Sequence, residues 1–172
     1  MVTGAYSGDL TCANNPGLVG PDAGTTTIVA MVNGTGLSNF EITSVNGSYT
    51  IEKAASTTTV TCAASVTYNG TAQTPCSVLV TGAGGLSLTP PADYSNNVNV
   101  GTATASYTFA ETANHLGSSG SKNFEITKAP VTATAGSGSA IYDGTTKSPS
   151  ACKVTGAYTG DQTCANHTPG VG

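Results

Sequence analysis

The feature that most constrains this 172-residue chain is that it repeats itself. Residues 2–20 read VTGAYSGDLTCANNPGLVG and residues 154–172 read VTGAYTGDQTCANHTPGVG, with thirteen of 19 aligned positions identical at an offset of 152. A repeat of this kind is one structural unit used again, so the fold has to be read unit by unit. A weaker repeat lies inside it. YTIEKA at 49–54 matches FEITKA at 124–129, and Tyr68-Asn69-Gly70-Thr71 matches Tyr142-Asp143-Gly144-Thr145, at offsets of 75 and 74. Each period therefore holds two modules, with junctions at Lys53-Ala54 and Lys128-Ala129. Residues 54–128 read as a complete module. Residues 1–53 read as the C-terminal part of another module type, and 129–172 as the N-terminal part of the next copy of that type. Joining 129–172 to 21–53 rebuilds it. An overlap like this follows from cutting a periodic chain, so the sequence is expected to be a window on a longer array. Separate copies, each completing the next, are the alternative.

Within the complete module, Thr102 to Phe109 alternates strictly. Ala103, Ala105, Tyr107 and Phe109 fall on one face, and Thr102, Thr104, Ser106 and Thr108 on the other. Period two over eight residues predicts a half-buried strand. Further strands are expected at Thr58–Ala63, Ser77–Thr81, Val98–Val100 and Asn123–Thr127. Asn46-Gly47, Asn69-Gly70 and Asp143-Gly144 are turn dipeptides, because these residues tolerate positive φ. No stretch carries an apolar period of 3.6 over ten residues. The expected fold is all-β: tandem small Ig-like β-sandwich modules in a linear array. Tyr68, Tyr107, Phe109, Phe124 and Ile126 are the expected core of the complete module. Ile28, Ala30, Phe40, Ile42, Tyr49, Ile51 and Tyr142 are expected to line the rebuilt one.

Charged residues make up 8% of the chain, against about 25% in an ordinary soluble domain. All five basic residues are lysines, and thirty residues are threonine. The solvent faces are thus built from neutral hydroxyls and amides on stiff β-branched residues. With no basic stripe, a nucleic-acid partner is not expected, since counterion release needs clustered cations. No apolar run approaches the roughly 18 residues of a membrane helix. No secretory leader opens the sequence; Met1 is followed at once by repeat sequence, so the natural start is expected to lie elsewhere.

Five cysteines in so uncharged a chain point to an oxidising compartment. None forms a C-x-x-C pair, against zinc and redox chemistry. Cys62 with Cys76 and Cys152 with Cys164 have the spacing of local disulfides, each worth roughly 3 kcal/mol by loop-closure entropy. Cys12 is the repeat counterpart of Cys164. It therefore reads as one half of a cut disulfide, or of a bridge to Cys152 of a neighbouring copy.

Ile141-Tyr142-Asp143-Gly144-Thr145-Thr146 at a module start resembles the YDG-type repeats of large bacterial surface proteins. The ending Gly47-Ser48-Tyr49-Thr50-Ile51 is similar to their closing strand. Residues 54–128 resemble MBG-type and Ig-like repeats. The carrying segments are Val66 to Gln73 (VTYNGTAQ), Val80-Thr81-Gly82, Asn99-Val100-Gly101-Thr102 and Tyr107-Thr108-Phe109-Ala110. The resemblance implies stalk-like arrays on adhesins or extracellular fibres, outside the cell or on its surface, with no catalytic residues. The cysteines lie outside that pattern and imply a disulfide-reinforced branch.

The chemistry-bearing residues fit that reading. His115 and His167 belong to different modules, and His167 is replaced by Asn15 in the other repeat copy, so neither reads as catalytic. Asp9, Asp22 and Asp161 are isolated, without the convergent oxygens of a calcium loop. Glu41 and Glu125 read as solvated strand positions. Asn33, Asn46, Asn69 and Asn166 carry glycosylation sequons, which chance supplies in a chain rich in Asn and Thr. A Lys–Asn isopeptide crosslink is a further option without a chosen pair. No enzyme, metal or cofactor is expected. The expected partners are neighbouring copies, head to tail. The rival reading is a carbohydrate- or ligand-binding module that uses surface glycans, with Tyr6 and Tyr158 as its best exposed aromatics.

Overall fold

The structure, a computed structural model, describes residues 8–156, 160 and 162–165. The first strands are β1 (Thr11–Asn15), β2 (Gly24–Asn33), β3 (Gly47–Ile51) and β4 (Ser56–Cys62). They are followed by β5 (Ser65–Thr67), β6 (Cys76–Gly82), β7 (Leu86–Leu88) and β8 (Asp93–Ser95). The long strands β9 (Gly101–Phe109) and β10 (Ser118–Thr127) come next, then β11 (Val131–Thr134) and β12 (Lys153–Gly156). Two single 3-10 turns, Leu37–Asn39 and Ala83–Gly85, complete the described elements. The chain is all-β and arranged in small sheets, ordered β1-β2-β3, β4-β6-β7, β5-β10-β9-β8 and β11-β12. This arrangement is compatible with sandwich packing.

The residues group into two compact units. One contains the chain up to Thr57 together with Val80–Ser87 and Phe109–Ser118. The other contains Thr58–Leu79, Leu88–Thr108 and the chain from Ser119 onward. In the first unit β2 is the organising strand. Its second half pairs antiparallel with β1 (Thr11 opposite Asn33, Asn15 opposite Val29). Its first half pairs antiparallel with β3 (Gly24 opposite Ile51, Ile28 opposite Gly47). Thr26, Ile28, Ala30 and Val32 are half-buried and alternate with exposed Thr25, Thr27, Val29 and Met31, as a two-residue period requires.

The second unit holds a buried apolar cluster. Phe124 and Ile126 of β10 and Ala103 of β9 are buried together, with Cys62, Val66, Tyr68, Cys76 and Tyr94 packed around them. Alanine in the facing strand leaves room for the Phe124 ring. Tyr94 meets that ring edge-on, with centroids 6.2 Å apart and an 84° interplanar angle. The Tyr94 hydroxyl lies beyond the ring and closes on the backbone of Cys76, accepting from its N–H at 3.0 Å and donating to its carbonyl at 3.2 Å. The outer faces of the same strands carry hydroxyl pairs. Thr102 Oγ1 donates to Glu125 Oε1 at 2.7 Å and Thr104 Oγ1 to Asn123 Oδ1 at 3.0 Å. β5 runs parallel to β10, with Val66 opposite Ile126.

The alternation expected over Thr102–Phe109 appears in β9, where Ala103, Ala105 and Phe109 are buried and Tyr107 is half-buried. Val78 and Val80 join the buried set. The strand expected at Val98–Val100 does not form; those residues are bends. Asn96 turns the chain with φ 56°. The loop is instead fixed by Asn97, whose carbonyl accepts from Gln73 N at 2.8 Å and whose Nδ2 donates to the Gln73 carbonyl at 2.9 Å. Of the residues expected to line a rebuilt module, Ile28, Ala30, Phe40 and Ile51 are half-buried, and Ile42 and Tyr49 are exposed. Tyr142, 94% exposed, contributes to no core along this chain, because no strand forms around it at residues 135–152.

Truncating the most enclosed ring should be the costly change. Phe124→Ala is expected to lower stability by about 3–5 kcal/mol, whereas Tyr142→Ala should stay within about 0.5 kcal/mol. Urea unfolding of both variants, followed by circular dichroism, measures the contrast.

Candidate functional site

The junction at Lys53-Ala54 is expected to be a short linker. The structure instead gathers hydrogen bonds there, all within the first unit. Ala54 N donates to the Asn114 carbonyl at 2.9 Å, and Leu116 N donates to the Ala54 carbonyl at 2.9 Å. Lys53 Nζ reaches Glu111 Oε1 at 2.5 Å and the Thr112 carbonyl at 2.8 Å. The Asn114 side chain then spans to residues 22–23. Its Oδ1 accepts from Ala23 N at 2.8 Å, and its Nδ2 donates to Asp22 Oδ1 at 2.9 Å. An amide supplies both an acceptor and donors on one planar group, so a single residue satisfies a backbone N–H and a carboxylate together. Loop 111–116 is thus tied both to the linker and to residues 22–23.

His115 belongs to the same loop. Its backbone N–H donates to Thr112 Oγ1 at 3.1 Å, and its Nε2 lies 2.9 Å from the Ala83 carbonyl. A carbonyl oxygen only accepts, so Nε2 carries the proton. Gly82 lies against this ring: a side chain there would come within 3.0 Å of the imidazole and of Leu86. The imidazole's role here is to hold a turn.

Asp143 and Asn69 each build a turn of their own. Asp143 Oδ1 accepts from Thr145 N at 3.0 Å and Thr145 Oγ1 at 2.6 Å. Asn69 makes the same pair of bonds to Thr71, at 3.0 and 2.9 Å. Gly70 and Gly144 follow with φ of 79° and 77°, where a Cβ is disfavoured. The two Tyr-Asx-Gly-Thr strings of the internal repeat therefore fold into the same Asx turn. Lys147 Nζ pairs with Asp143 Oδ2, and this ammonium, followed by the Thr145 hydroxyl, holds the Asp143 carboxyl below the ordinary aspartate value. Asp9 is lowered likewise, first by the Thr35 hydroxyl and then by the Thr35 N–H.

Both disulfides belong to the second unit. Cys62, ending β4, is bonded to Cys76, opening β6, with Cα atoms 4.1 Å apart. Cys152, just before β12, is bonded to Cys164 across 5.8 Å. Cys12 is free and exposed in β1, opposite Val32. A cavity of about 310 Å³ is lined by residues 96–102 alone. Among the described residues, no three of His, Cys, Asp and Glu converge on one point, and no helix is long and apolar enough to cross a membrane. Tyr6, Tyr158, Asp161, Asn166 and His167 lie outside the described residues. No protein-family model, curated protein or solved structure matches the chain.

Sequence reasoning marked Lys53 as a boundary but missed Glu111 and Asn114. Both lie in an unpatterned loop, more than 50 residues from Lys53, and no local rule links the two.

Asn114→Ala leaves the Ala23 N–H without its acceptor and should cost about 1–2 kcal/mol. Lys53→Ala removes a largely solvated pair and should cost less than about 1 kcal/mol. Limited trypsinolysis should cut after Lys53 faster in Asn114→Ala than in the parent chain. A second expectation concerns acid. A carboxyl lowered by folding contributes stability that is present above its unfolded value, about 3.9, and is lost as pH falls through the folded value. Carbon-detected NMR titration should place Asp9 and Asp143 below that value. Thr35→Ala should return Asp9 towards it, and Lys147→Ala should do the same for Asp143.

Proposed function

We propose that the chain is a structural repeat segment of a secreted or cell-surface bacterial stalk or fibre of the adhesin type. In this reading it is a disulfide-reinforced rod of small Ig-like modules joined head to tail, and it is not an enzyme. The observation that carries this is the junction. A passive linker needs no contacts, whereas here residues 22–23 and 53–54 are both hydrogen-bonded to loop 111–116. In a chain that repeats at an offset of 152, a joint of this kind recurs along the array and stiffens it. Stability then becomes a sum of module and nearest-neighbour terms. The two disulfides suit an oxidising exterior. Neutral hydroxyl faces hold their hydrogen bonds with little dependence on salt, which screens charged pairs instead.

The rival reading, a glycan- or ligand-binding module, draws on Tyr142, whose ring is 94% exposed and open to stacking against a sugar face. A glycan array on the full chain tests it.

Small-angle scattering on chains of one, two and three 152-residue periods tests the rod. The maximum dimension should rise in proportion to copy number. A dimension that grows only as the cube root of mass would overturn the reading.

A further inference from the structure

We propose that the outer edge of β3 is a docking site for Ser139–Tyr142 of a second copy of this chain. The β2–β3 pair repeats the β9–β10 pair in register. The Thr25 and Thr50 hydroxyls are bonded across β2 and β3 at 2.8 Å, and Thr102 Oγ1 donates to Glu125 Oε1 across β9 and β10 at 2.7 Å. At the offset of 75 that relates the two modules, Thr50 corresponds to Glu125, Tyr49 to Phe124 and Ile51 to Ile126. On the far side β1 flanks β2 as β8 flanks β9.

The two pairs differ in what joins their last strand. β10 receives β5 as a parallel neighbour, with Ser65 opposite Glu125 and Val66 opposite Ile126. Glu125 N donates to the Ala64 carbonyl at 3.0 Å, and Tyr68 N to the Thr127 carbonyl at 2.9 Å. Tyr68 packs against the Phe124–Ile126 cluster, where Phe124 is 2% exposed. Among the described residues β3 instead ends its sheet, and Tyr49 is 56% exposed. An unpaired edge beside an exposed ring is a template for an added strand.

Ser139-Ala140-Ile141-Tyr142 has the chemistry to fill that place. It stands 74 residues after Ser65-Val66-Thr67-Tyr68, and both strings run on into the same Asx turn. Residues 139–142 are in no strand here, and Ile141 and Tyr142 are both more than 90% exposed. Seated as β5 is, Ser139 lies opposite Thr50, Ala140 opposite Ile51 and Ile141 opposite Glu52, and the Tyr142 ring covers Tyr49. Order along the chain identifies the donor as another copy: Ser65 precedes the strand pair it joins, whereas Ser139 follows β3. The contact is therefore head to tail. This inference rests on the array reading and names the segment that joins one copy to the next.

The test is disulfide trapping between full-length chains that all carry C12S. T50C chains are mixed with S139C chains, and E52C chains with I141C chains; all four positions are exposed. Residues opposite each other on neighbouring strands lie about 5 Å apart, within disulfide reach. The crossed mixtures, T50C with I141C and E52C with S139C, are displaced by a further step of about 7 Å along the strand, which a disulfide does not span. After mild oxidation with copper phenanthroline, peptide mapping by mass spectrometry should find the bond from position 50 to 139 and the bond from 52 to 141 several-fold above those of the crossed mixtures. Matched bonds no more abundant than crossed ones would overturn the docking. That result leaves a covalently continuous array standing, because scattering from tandem periods tests the array separately. Matched bonds together with compact tandem chains would overturn the rod and leave the docking in place.

Discussion

Phe124 and Ile126 lie on the inner face of β10 against Ala103 of β9, and Cys62, Val66, Tyr68, Cys76 and Tyr94 pack around that contact. A phenyl ring and an isoleucine need space, and fully buried Ala103 in the neighbouring strand provides it. Cys62 and Cys76 lie on the neighbouring strands β4 and β6 and are bonded there, and the Tyr94 hydroxyl meets the Cys76 backbone beside them. The core is small, as expected where little of the chain is strongly apolar. The disulfide restricts the unfolded chain where burial alone contributes little.

Outside this cluster the chain is held by neutral polar groups. Threonine hydroxyls pair across strands at Thr25 and Thr50, 2.8 Å apart. Asparagine amides at positions 69, 97 and 114 satisfy backbone groups that the ladders leave over. The two ion pairs among the described residues are solvent-facing and contribute little. A fold held in this way changes little with salt.

The strands β9 and β10, the pairings of Cys62 with Cys76 and of Cys152 with Cys164, and the Asx turns at Asn69 and Asp143 were legible in the sequence. Each depends on residues close together or on a strict two-residue period, so local chemistry decides it. Val98–Val100 looked like a strand because valine favours one. It became a bend because Asn96 turns the chain at a positive φ and Asn97 is bonded to Gln73 through its side chain and its carbonyl, a contact across 24 residues. Tyr142 occupies the place of Tyr68 in the internal repeat, and the turn that follows each of them is the same because it is local. The joint at Asn114 was invisible for the opposite reason: its partners at positions 22, 23 and 54 are distant in sequence and are chosen by the fold.

The bond between Cys62 and Cys76 has one more consequence, under tension. A module pulled from its ends lengthens by the contour of every residue released, but the 14-residue step between these cysteines stays short-circuited by the sulfur bridge. At 3.3–3.6 Å per extended residue that withholds about 50 Å of slack per module. Reduction of one covalent bond releases it. The reach of a stretched chain is therefore set by the redox state of its surroundings as well as by the force applied.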